Sequence, residues 1–184
     1  MIICGMDEAG RGPLAGPVTA AAVILPADFP VTILRDSKKL TPKRRQYLCC
    51  LILQKARTWA TGWAWPEEID RLNIHYASLL AMQRAFRSLG LKPDLVLVDG
   101  RFTPAIASTC RAVVKGDTLV PEIMAASIIA KVQRDLWMER YSRIEPAYRF
   151  EEHKGYPTAR HKKLIRTLGD SAIQRQSFKP SLPQ

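Results

Sequence analysis

The sequence predicts an α/β protein in which one mixed β-sheet is covered by helices. Short apolar runs of strand length occur three times early in the chain and twice later. Longer stretches with helix-start signals separate the later runs. The chain has 184 residues, of which 47% are hydrophobic and 24% charged, a size that buries a full core in one domain. We therefore expect a single domain over residues 1–184, with a helical C-terminal segment from about residue 142.

The first two predicted strands are buried. Residues 2–6 are apolar and stop at two carboxylates, Asp7 and Glu8. Residues 18–25 form a second apolar, partly β-branched run that ends at a proline. The glycines and proline between them, in AGRGPLAG, favour a turn.

A basic helix, a half-exposed strand and a second helix follow. Thr41-Pro42 is a helix start, with a capping hydroxyl and a proline at the first helical position. In residues 58–65 two tryptophans alternate with small or polar residues, which is typical of a strand with one exposed face. Pro66 then begins the next helix.

The remaining elements alternate between helix and strand. Two further strands are predicted, each followed by a carboxylate: residues 95–98 before Asp99, and residues 111–114 before Asp117. Three helices are predicted around them, at about residues 74–89, from residue 121 onward, and between residues 158 and 168. The helix from residue 121 is apolar on nearly every side at its start and should be buried against the sheet.

Charge and cysteine content restrict the class of protein. Lys and Arg total 28 against 17 Asp and Glu, a net charge of +11, which favours a polyanion such as nucleic acid over a merely solvated basic surface. The four cysteines show no paired spacing and are interpreted as reduced thiols. No run approaches a membrane span and the N-terminus does not resemble a signal peptide, so a cytoplasmic protein is expected.

Four acids, Asp7, Glu8, Asp99 and Asp117, fall at or just beyond predicted strand ends. Strand ends converge at one sheet edge, and clustered carboxylates need a cation. Oxygen ligands without a His or Cys pattern suit Mg²⁺ or Mn²⁺. Two such ions, about 3.5–4 Å apart, can cleave a phosphodiester. The alternative is that each acid only begins a turn, as Asp99-Gly100 often does.

Asp7 and Glu8 pose a geometric problem. Neighbouring side chains point to opposite faces of a regular strand. Either the strand bends there, or Glu8 contributes its main-chain carbonyl as well.

Several blocks along the chain resemble one known family, ribonuclease HII. The blocks are Asp7-Glu8-Ala9-Gly10-Arg11-Gly12-Pro13, Asp36-Ser37-Lys38-Lys39-Leu40, Val98-Asp99-Gly100, Val114-Lys115-Gly116-Asp117, Ala125-Ala126-Ser127-Ile128 through Ala130-Lys131-Val132, and His153-Lys154-Gly155-Tyr156-Pro157-Thr158. The resemblance implies an RNase H-like fold with a five-stranded mixed sheet, and the four acids as metal-binding catalytic residues.

The resemblance also implies the reaction. The substrates would be RNA–DNA hybrids and duplex DNA containing single ribonucleotides, cleaved 5′ of the ribonucleotide to leave 3′-hydroxyl and 5′-phosphate ends. A role in removing ribonucleotides during replication and repair follows, for an enzyme expected to be monomeric.

The resemblance assigns substrate contacts as well. Gly10, Arg11 and Gly12 would contact the ribose 2′-hydroxyl, which distinguishes RNA from DNA, and the adjacent phosphates. Tyr156 would pack on the next deoxyribose. Without the resemblance, the glycines would indicate only a tight turn, and the tyrosine only a side chain that packs the C-terminal tail.

Three further residues are expected near the substrate. Lys38 and Lys39 suit phosphate contacts, which position a duplex without reading its sequence. Ser127 either lines the site or is only a small residue in a buried helix. Two positions depart from the family pattern: Met124 replaces a usual serine and Lys179 a common glycine.

Two rival functions remain. Ribonuclease HIII, which prefers longer RNA stretches, normally has an extra N-terminal domain, whereas here the first strand begins at residue 2. A catalytically silent hybrid-binding module would need only the basic surface and the Gly-Arg-Gly turn, so the presence of all four acids argues against it.

Overall fold

The computed structural model of the protein describes residues 1–34 and 41–178 and contains one five-stranded sheet. The strands are β1 (Ile3–Ala9), β2 (Val18–Ile24), β3 (Thr58–Ala64), β4 (Leu95–Asp99) and β5 (Thr109–Val113). The helices are α1 (Pro42–Lys55), α2 (Pro66–Arg87), α3 (Gly116–Leu119), α4 (Pro121–Tyr141), α5 (Phe150–His153) and α6 (Ala159–Leu168). The predicted α/β architecture with a mixed sheet is confirmed.

The strand order is β3-β2-β1-β4-β5. The first three strands pair antiparallel, and β4 and β5 continue the sheet parallel to β1. Met6 pairs with Val98, so the next residues, Asp7 and Asp99, lie level with each other on neighbouring strands. The parallel pairing thus brings two of the predicted acids to one edge.

Each face of the sheet has its own core. On one face, Ala21 and Val23 of β2 pack with α1 and α4. On the other, Met6 of β1 and Val98 of β4 pack with α2. Each fully buried valine or methionine contributes about 1.5–3 kcal/mol relative to an exposed one.

A glycine allows α4 to pack directly on the central strand. A Cβ atom on Gly5 would lie 2.1 Å from the backbone carbon of Glu122, so a side chain here would force strand and helix apart. This close approach sets how near the side chains of α4 come to β1.

The second helix differs from a regular helix at one point. Residues 66–87 are continuous, but Asn73 has φ +65°, and its Oδ1 accepts the amides of His75 at 2.9 Å and Tyr76 at 3.2 Å. Asn73 therefore caps a second helical segment. This explains why the sequence predicted separate helix starts at residues 66 and 74.

Threonine hydroxyls cap two other helices, and the cap predicted at Thr41 is confirmed. The hydroxyl of Thr41 accepts the amide of Arg44 at 3.3 Å, and that of Thr158 accepts the amide of His161 at 3.1 Å. Capping hydroxyls of this kind contribute about 1 kcal/mol each.

The C-terminal segment is only partly helical. After α6 the chain returns irregularly to the N-terminal half, where Gln174 bridges to Ala15 and Ser177 donates to Asp70. Within the described part of the chain, no helix combines the length and apolar character needed to cross a membrane. All four cysteines are free thiols.

Candidate active site

The four predicted acids define a carboxylate edge of the sheet: Asp7, Glu8, Asp99 and Asp117. Asp7 and Glu8 lie inside β1 rather than beyond its end, because the antiparallel ladder with β2 continues to Ala9. The expected strand end at Met6 is therefore wrong. The end was misplaced because β2 supplies backbone partners that keep the two polar residues extended.

The ladder is regular at both acids, pairing Asp7 with Ala21 and Glu8 with Ala20, so β1 shows no break there. Their side chains consequently leave on opposite faces. Asp7 lies on the α4 face, where Ser127 hydrogen-bonds its carboxylate. Glu8 reaches Arg11, whose Nη1 donates to Oε1 at 3.1 Å.

Asp99 and Asp117 are joined across two loops. The Oδ1 atom of Asp99, the last residue of β4, accepts the backbone amide of Asp117 at 3.2 Å. Asp117 is in the first turn of the short helix α3, which follows a left-handed residue, Lys115, with φ +59°. The hydrogen bond holds α3 against the end of β4.

Burial and mutual repulsion dominate the electrostatics of the carboxylate edge. Asp7 is only 6% exposed; its burial, then Glu8 and Asp99, raise its pKa well above the usual range, which the bond from Ser127 partly offsets. Burial also raises the pKa of Glu8, with Arg11 acting in the opposite direction and Asp99 adding to the increase. Arg11 therefore offsets part of the charge of Glu8, whereas the neighbouring carboxylates disfavour ionisation of Asp7.

The donor chemistry of the carboxylate edge fits a hard divalent cation. Its oxygen ligands match the preference of Mg²⁺ and Mn²⁺, and a cation would relieve the repulsion. In residues 1–34 and 41–178, no three His, Cys, Asp or Glu side chains form a ready-made metal cage. Asp7 and Asp99 each accept a hydrogen bond from a backbone amide, and Glu8 accepts one from Arg11.

Two buried arginines, Arg134 and Arg175, form an arginine platform under the loop that follows β1. Arg134, on α4, donates to the carbonyls of Pro17 at 2.8 Å, Lys154 at 3.0 Å and Ala15 at 3.2 Å. Both guanidinium groups are fully buried. Backbone carbonyls thus replace the water that the charge of Arg134 has lost.

Arg175 completes the platform from the irregular C-terminal segment. It donates to the carbonyls of Gly10 at 2.6 Å, Gly16 at 2.8 Å and Arg11 at 3.0 Å. Burial, and then the nearby Arg134, lower the pKa of Arg175 to about 9, so it remains protonated at neutral pH. The platform therefore fastens both ends of the loop.

This fastening orients the loop amides. In a trans peptide the N–H points opposite to the carbonyl of the preceding residue. Because the carbonyls of Gly10 and Arg11 point down to Arg175, the amides of Arg11 and Gly12 point away from it. Two donors of the Gly-Arg-Gly segment are in this way presented outward.

The two glycines of that segment have different reasons to be glycine. Gly10 has φ +93°, and a Cβ there would lie 2.1 Å from Nε of Arg134. Gly12 has ordinary φ and open space where a Cβ would be. The fold requires Gly10, whereas nothing in the fold requires Gly12.

A cleft of about 390 Å³ gathers most of the predicted site residues. Its lining includes Glu8, Gly10, Arg11, Gly12, Asp117, Ser127 and Tyr156. The ring of Tyr156 lies beside two cations, with Nζ of Lys131 at 5.2 Å and Cζ of Arg134 at 5.6 Å from its centroid. The carboxylate edge and the Gly-Arg-Gly segment thus open into one space.

A pair of buried histidines holds the backbone of Tyr156. Nδ1 of His161 hydrogen-bonds the carbonyl of Tyr156 at 2.9 Å, and Nδ1 of His153 accepts the amide of Gly155 at 3.2 Å. The two rings stack with centroids 4.2 Å apart. Burial, and then His153, lower the pKa of His161 to about 4, so the pair is neutral near pH 7.

Of the remaining positions named from the sequence, the structure describes only Met124. Lys38, Lys39 and Lys179 lie outside the described residues. Met124 is buried in the core between α4 and β2, so this departure fills apolar space.

Sequence reasoning assigned no role to four cations at the site, although Lys131 stands in one of the blocks that resemble the family. Arg45 and Lys131 line the cleft, and Arg134 and Arg175 support its loop. Arg134 had a detectable signal, because it lies seven residues after Ser127 on the buried face of α4. Arg175 had none, since its segment has no regular periodicity.

Comparison with known proteins identifies the family. The family model for ribonuclease HII matches residues 4–181. The ribonuclease HII of Treponema denticola is 52% identical, over 96% of this chain and 98% of that protein.

Solved structures agree on the fold. Ribonuclease H2 from Pyrococcus horikoshii OT3 has a TM-score of 0.81 at 27% identity and covers 97% of this chain and 94% of its own. The RNase HII in a PCNA complex from Archaeoglobus fulgidus has a TM-score of 0.82 at 26% identity and covers 100% of this chain and 98% of that chain. Bst-RNase HIII in complex with Mn²⁺ has a TM-score of 0.75 at 18% identity and covers 97% of this chain and 67% of that chain. At this identity it shows the fold alone. The chain belongs to the ribonuclease HII family and is a metal-dependent RNase H hydrolase.

Proposed function

We propose that this enzyme nicks the strand of an RNA–DNA duplex on the 5′ side of a ribonucleotide, including a single ribonucleotide embedded in DNA, and leaves 3′-hydroxyl and 5′-phosphate ends. The observation that carries this is the shared cleft. Carboxylates, outward backbone amides and an aromatic ring line one space next to a buried acidic residue. This combination suits a phosphodiester beside a ribose. We place the reaction in ribonucleotide removal in the cytoplasm, by a monomer.

Asp7, Glu8, Asp99 and Asp117 would hold the divalent metal, Mg²⁺ or Mn²⁺. When bound in pairs, such ions activate a water and stabilise the leaving oxygen in phosphodiester hydrolysis. The protein supplies the alignment of the acids: the β1–β4 register sets Asp7 level with Asp99, and the bond from the amide of Asp117 fixes α3 on Asp99. Ser127 orients the carboxylate of Asp7.

Selection of the ribose rests on the Gly-Arg-Gly segment. The outward amides of Arg11 and Gly12 are donors for the 2′-hydroxyl and the neighbouring phosphate oxygens. A methyl group at residue 12 would occupy open space in the cleft and meet no protein atom, so a closely approaching substrate explains the glycine best. The side chain of Arg11 is available to a phosphate once a cation replaces it at Glu8.

Tyr156 would pack on the deoxyribose that follows the ribonucleotide. Its ring lies in the same cleft as the Gly-Arg-Gly segment, and its backbone is anchored by His161. A sugar lacking the 2′-hydroxyl can contact an aromatic face without burying an unpaired polar group. The site would thereby recognise the step from RNA to DNA.

The test is a nicking assay on three duplexes that differ only in one strand: all DNA, one ribonucleotide, and four consecutive ribonucleotides. We expect Mg²⁺- or Mn²⁺-dependent nicking of the second and third duplexes, with 3′-hydroxyl ends directly 5′ of a ribonucleotide. The all-DNA duplex controls for contaminating nucleases. Cleavage of the four-ribonucleotide duplex alone would contradict the proposal and favour the preference of ribonuclease HIII.

A further inference from the structure

An exposed ring surface lies on the other side of the carboxylate edge from Tyr156. It consists of His75 and Tyr76 on α2 and Phe102 in the loop after β4. Phe102 is 60% exposed and Tyr76 is 59% exposed. The ring of His75 lies between them, with its centroid 4.5 Å from Phe102 and 5.0 Å from Tyr76. Three adjacent rings facing solvent are unusual for residues that serve only the core.

The backbone beneath the ring surface is fixed. Asn73 caps the segment that carries His75 and Tyr76. Two residues before Phe102 is Gly100, whose amide donates to the carbonyl of Val113 at 3.0 Å. The rings are therefore displayed from structured backbone on both sides, which limits the entropy lost when a ligand binds them.

The ring surface is continuous with the active site. A cavity of about 80 Å³ is lined by His75, Arg101 and Phe102 together with Glu8, Arg11 and Asp99. Glu8 and Arg11 also line the larger cleft that contains Tyr156. These two residues thus separate two binding spaces, one with Tyr156 and one with Phe102.

The chemistry of the second space fits a nucleotide. An exposed arginine, Arg101, precedes Phe102, and a cation beside an aromatic ring is the usual combination for a phosphate with its sugar or base. The net charge of +11 favours the same occupant. An apolar peptide would instead offer no charged group to Arg101.

We propose that the ring surface and Arg101 bind the nucleotide of the cleaved strand that lies 5′ of the scissile phosphate. The inference deepens the proposed function and rests on it, since Tyr156 is there assigned to the 3′ side of the ribonucleotide. A strand whose scissile phosphate lies at the carboxylate edge extends from the Tyr156 cleft into the Phe102 cavity. The rings contact the sugar or base, and Arg101 pairs with the phosphate.

The test measures binding in Mg²⁺ by fluorescence anisotropy, with Asp117→Asn in every variant to block nicking. One duplex has eight nucleotides 5′ of its ribonucleotide and the other has none, with identical 3′ sides. Phe102→Ala should weaken binding of the first duplex about five- to tenfold, the effect of losing one aromatic stack. It should change binding of the second less than twofold, and Phe102→Tyr should bind both like the parent.

Two controls sharpen the result. Ile144→Ala removes an exposed apolar side chain that lines neither the cleft nor the Phe102 cavity, and it should change neither affinity. Arg101→Gln should reduce by about one the number of ions released on binding the first duplex, read from the salt dependence. Equal weakening of both duplexes by Phe102→Ala, or no weakening of either, overturns the inference. Persistent nicking by Asp117→Asn would instead contradict the assignment of the acids.

Discussion

The carboxylate edge and the arginine platform are both charged and both adjacent to the loop of residues 10–17, but they differ in burial and in the partners of their charges. Both arginines of the platform are fully buried, whereas at the edge Asp7 is buried and the other three acids are half-buried. Each guanidinium of the platform donates to three backbone carbonyls, so its charge is solvated by the protein. At the carboxylate edge, burial and the neighbouring carboxylates raise the pKa of Asp7, and burial raises the pKa of Glu8 even though Arg11 pairs with it. The charges of the platform therefore have protein partners that hold the loop, while the buried charge of Asp7 is opposed by its neighbours.

This difference predicts opposite responses to substitution. Loss of charge at the edge should remove activity and relieve strain in the fold. Loss of charge at the platform should damage the fold first and activity as a consequence.

The largest effect is expected at the edge. Asp7→Asn or Asp99→Asn should lower the nicking rate more than about a thousandfold, because metal-borne charge stabilisation is worth several kcal/mol. Asp7→Asn should at the same time raise the Tm, since it removes a buried charge that its neighbours repel. The measurements are single-turnover nicking and thermal unfolding in EDTA. Asp28→Asn, in an exposed turn, is the matched control, and a lower Tm with full activity would contradict the contrast.

The next effect concerns the platform. Arg175→Gln leaves the carbonyls of Gly10, Arg11 and Gly16 without their donors, and the cost is about 3 kcal/mol or more. For a chain of this size that lowers the Tm by roughly 10 °C. Arg175→Lys keeps the charge but not the fork of donors and should fall in between. Arg166→Gln, on the exposed face of α6, should leave the Tm unchanged. An equal fall in Tm for Arg166→Gln would show that Arg175 contributes no more to stability than an exposed arginine.

A smaller effect on activity is expected from substitution of Tyr156, which lines the cleft and lies beside Arg134 of the platform. Tyr156→Ala should reduce kcat/KM for a single-ribonucleotide duplex about tenfold, the loss of one aromatic contact of roughly 1.4 kcal/mol. Tyr156→Phe keeps the ring and should retain activity. Unchanged cleavage by Tyr156→Ala would remove this residue from recognition of the RNA–DNA junction.

The last effect, which is absent near neutral pH and develops only on acidification, concerns the histidine pair that anchors Tyr156. The unfolded chain binds a proton at His161 near pH 6.5, whereas the folded protein does so only near pH 4. The stability that neutral His161 provides is therefore complete above pH 6.5 and is lost as the pH falls toward 4. The expected loss is at most about 3 kcal/mol over this window.

The measurement is the free energy of unfolding against pH. His161→Asn keeps a donor for the carbonyl of Tyr156 and removes the titration, so its stability should fall less between pH 6.5 and 4 than that of the natural protein. Parallel curves for the two proteins would show that His161 does not sense pH in this way.

Local patterns were enough for most of the fold. The apolar runs before Asp99 and Asp117, the capping threonine at residue 41, the helix between residues 158 and 168, and the helix start near residue 74 were all predictable, because each depends on neighbours in sequence. The end of β1 was misjudged, since its extension through Glu8 depends on pairing with β2. The helix predicted between residues 158 and 168 is confirmed as α6, but the path of the chain after it could not be predicted, because it depends on contacts with Asp70 and the residue 10–17 loop.

The sequence by itself determined the residue types of the site: four acids, a Gly-Arg-Gly segment, a serine and a tyrosine, each marked by its local block. Only the tertiary structure decided which of these share a space, which face each acid takes, and why the loop amides point outward. The outward direction of the loop amides depends on Arg175, which lies 165 residues from Gly10 along the chain. No local sequence pattern predicts this contact, because a buried guanidinium meets carbonyl groups from distant parts of the chain only in the folded protein.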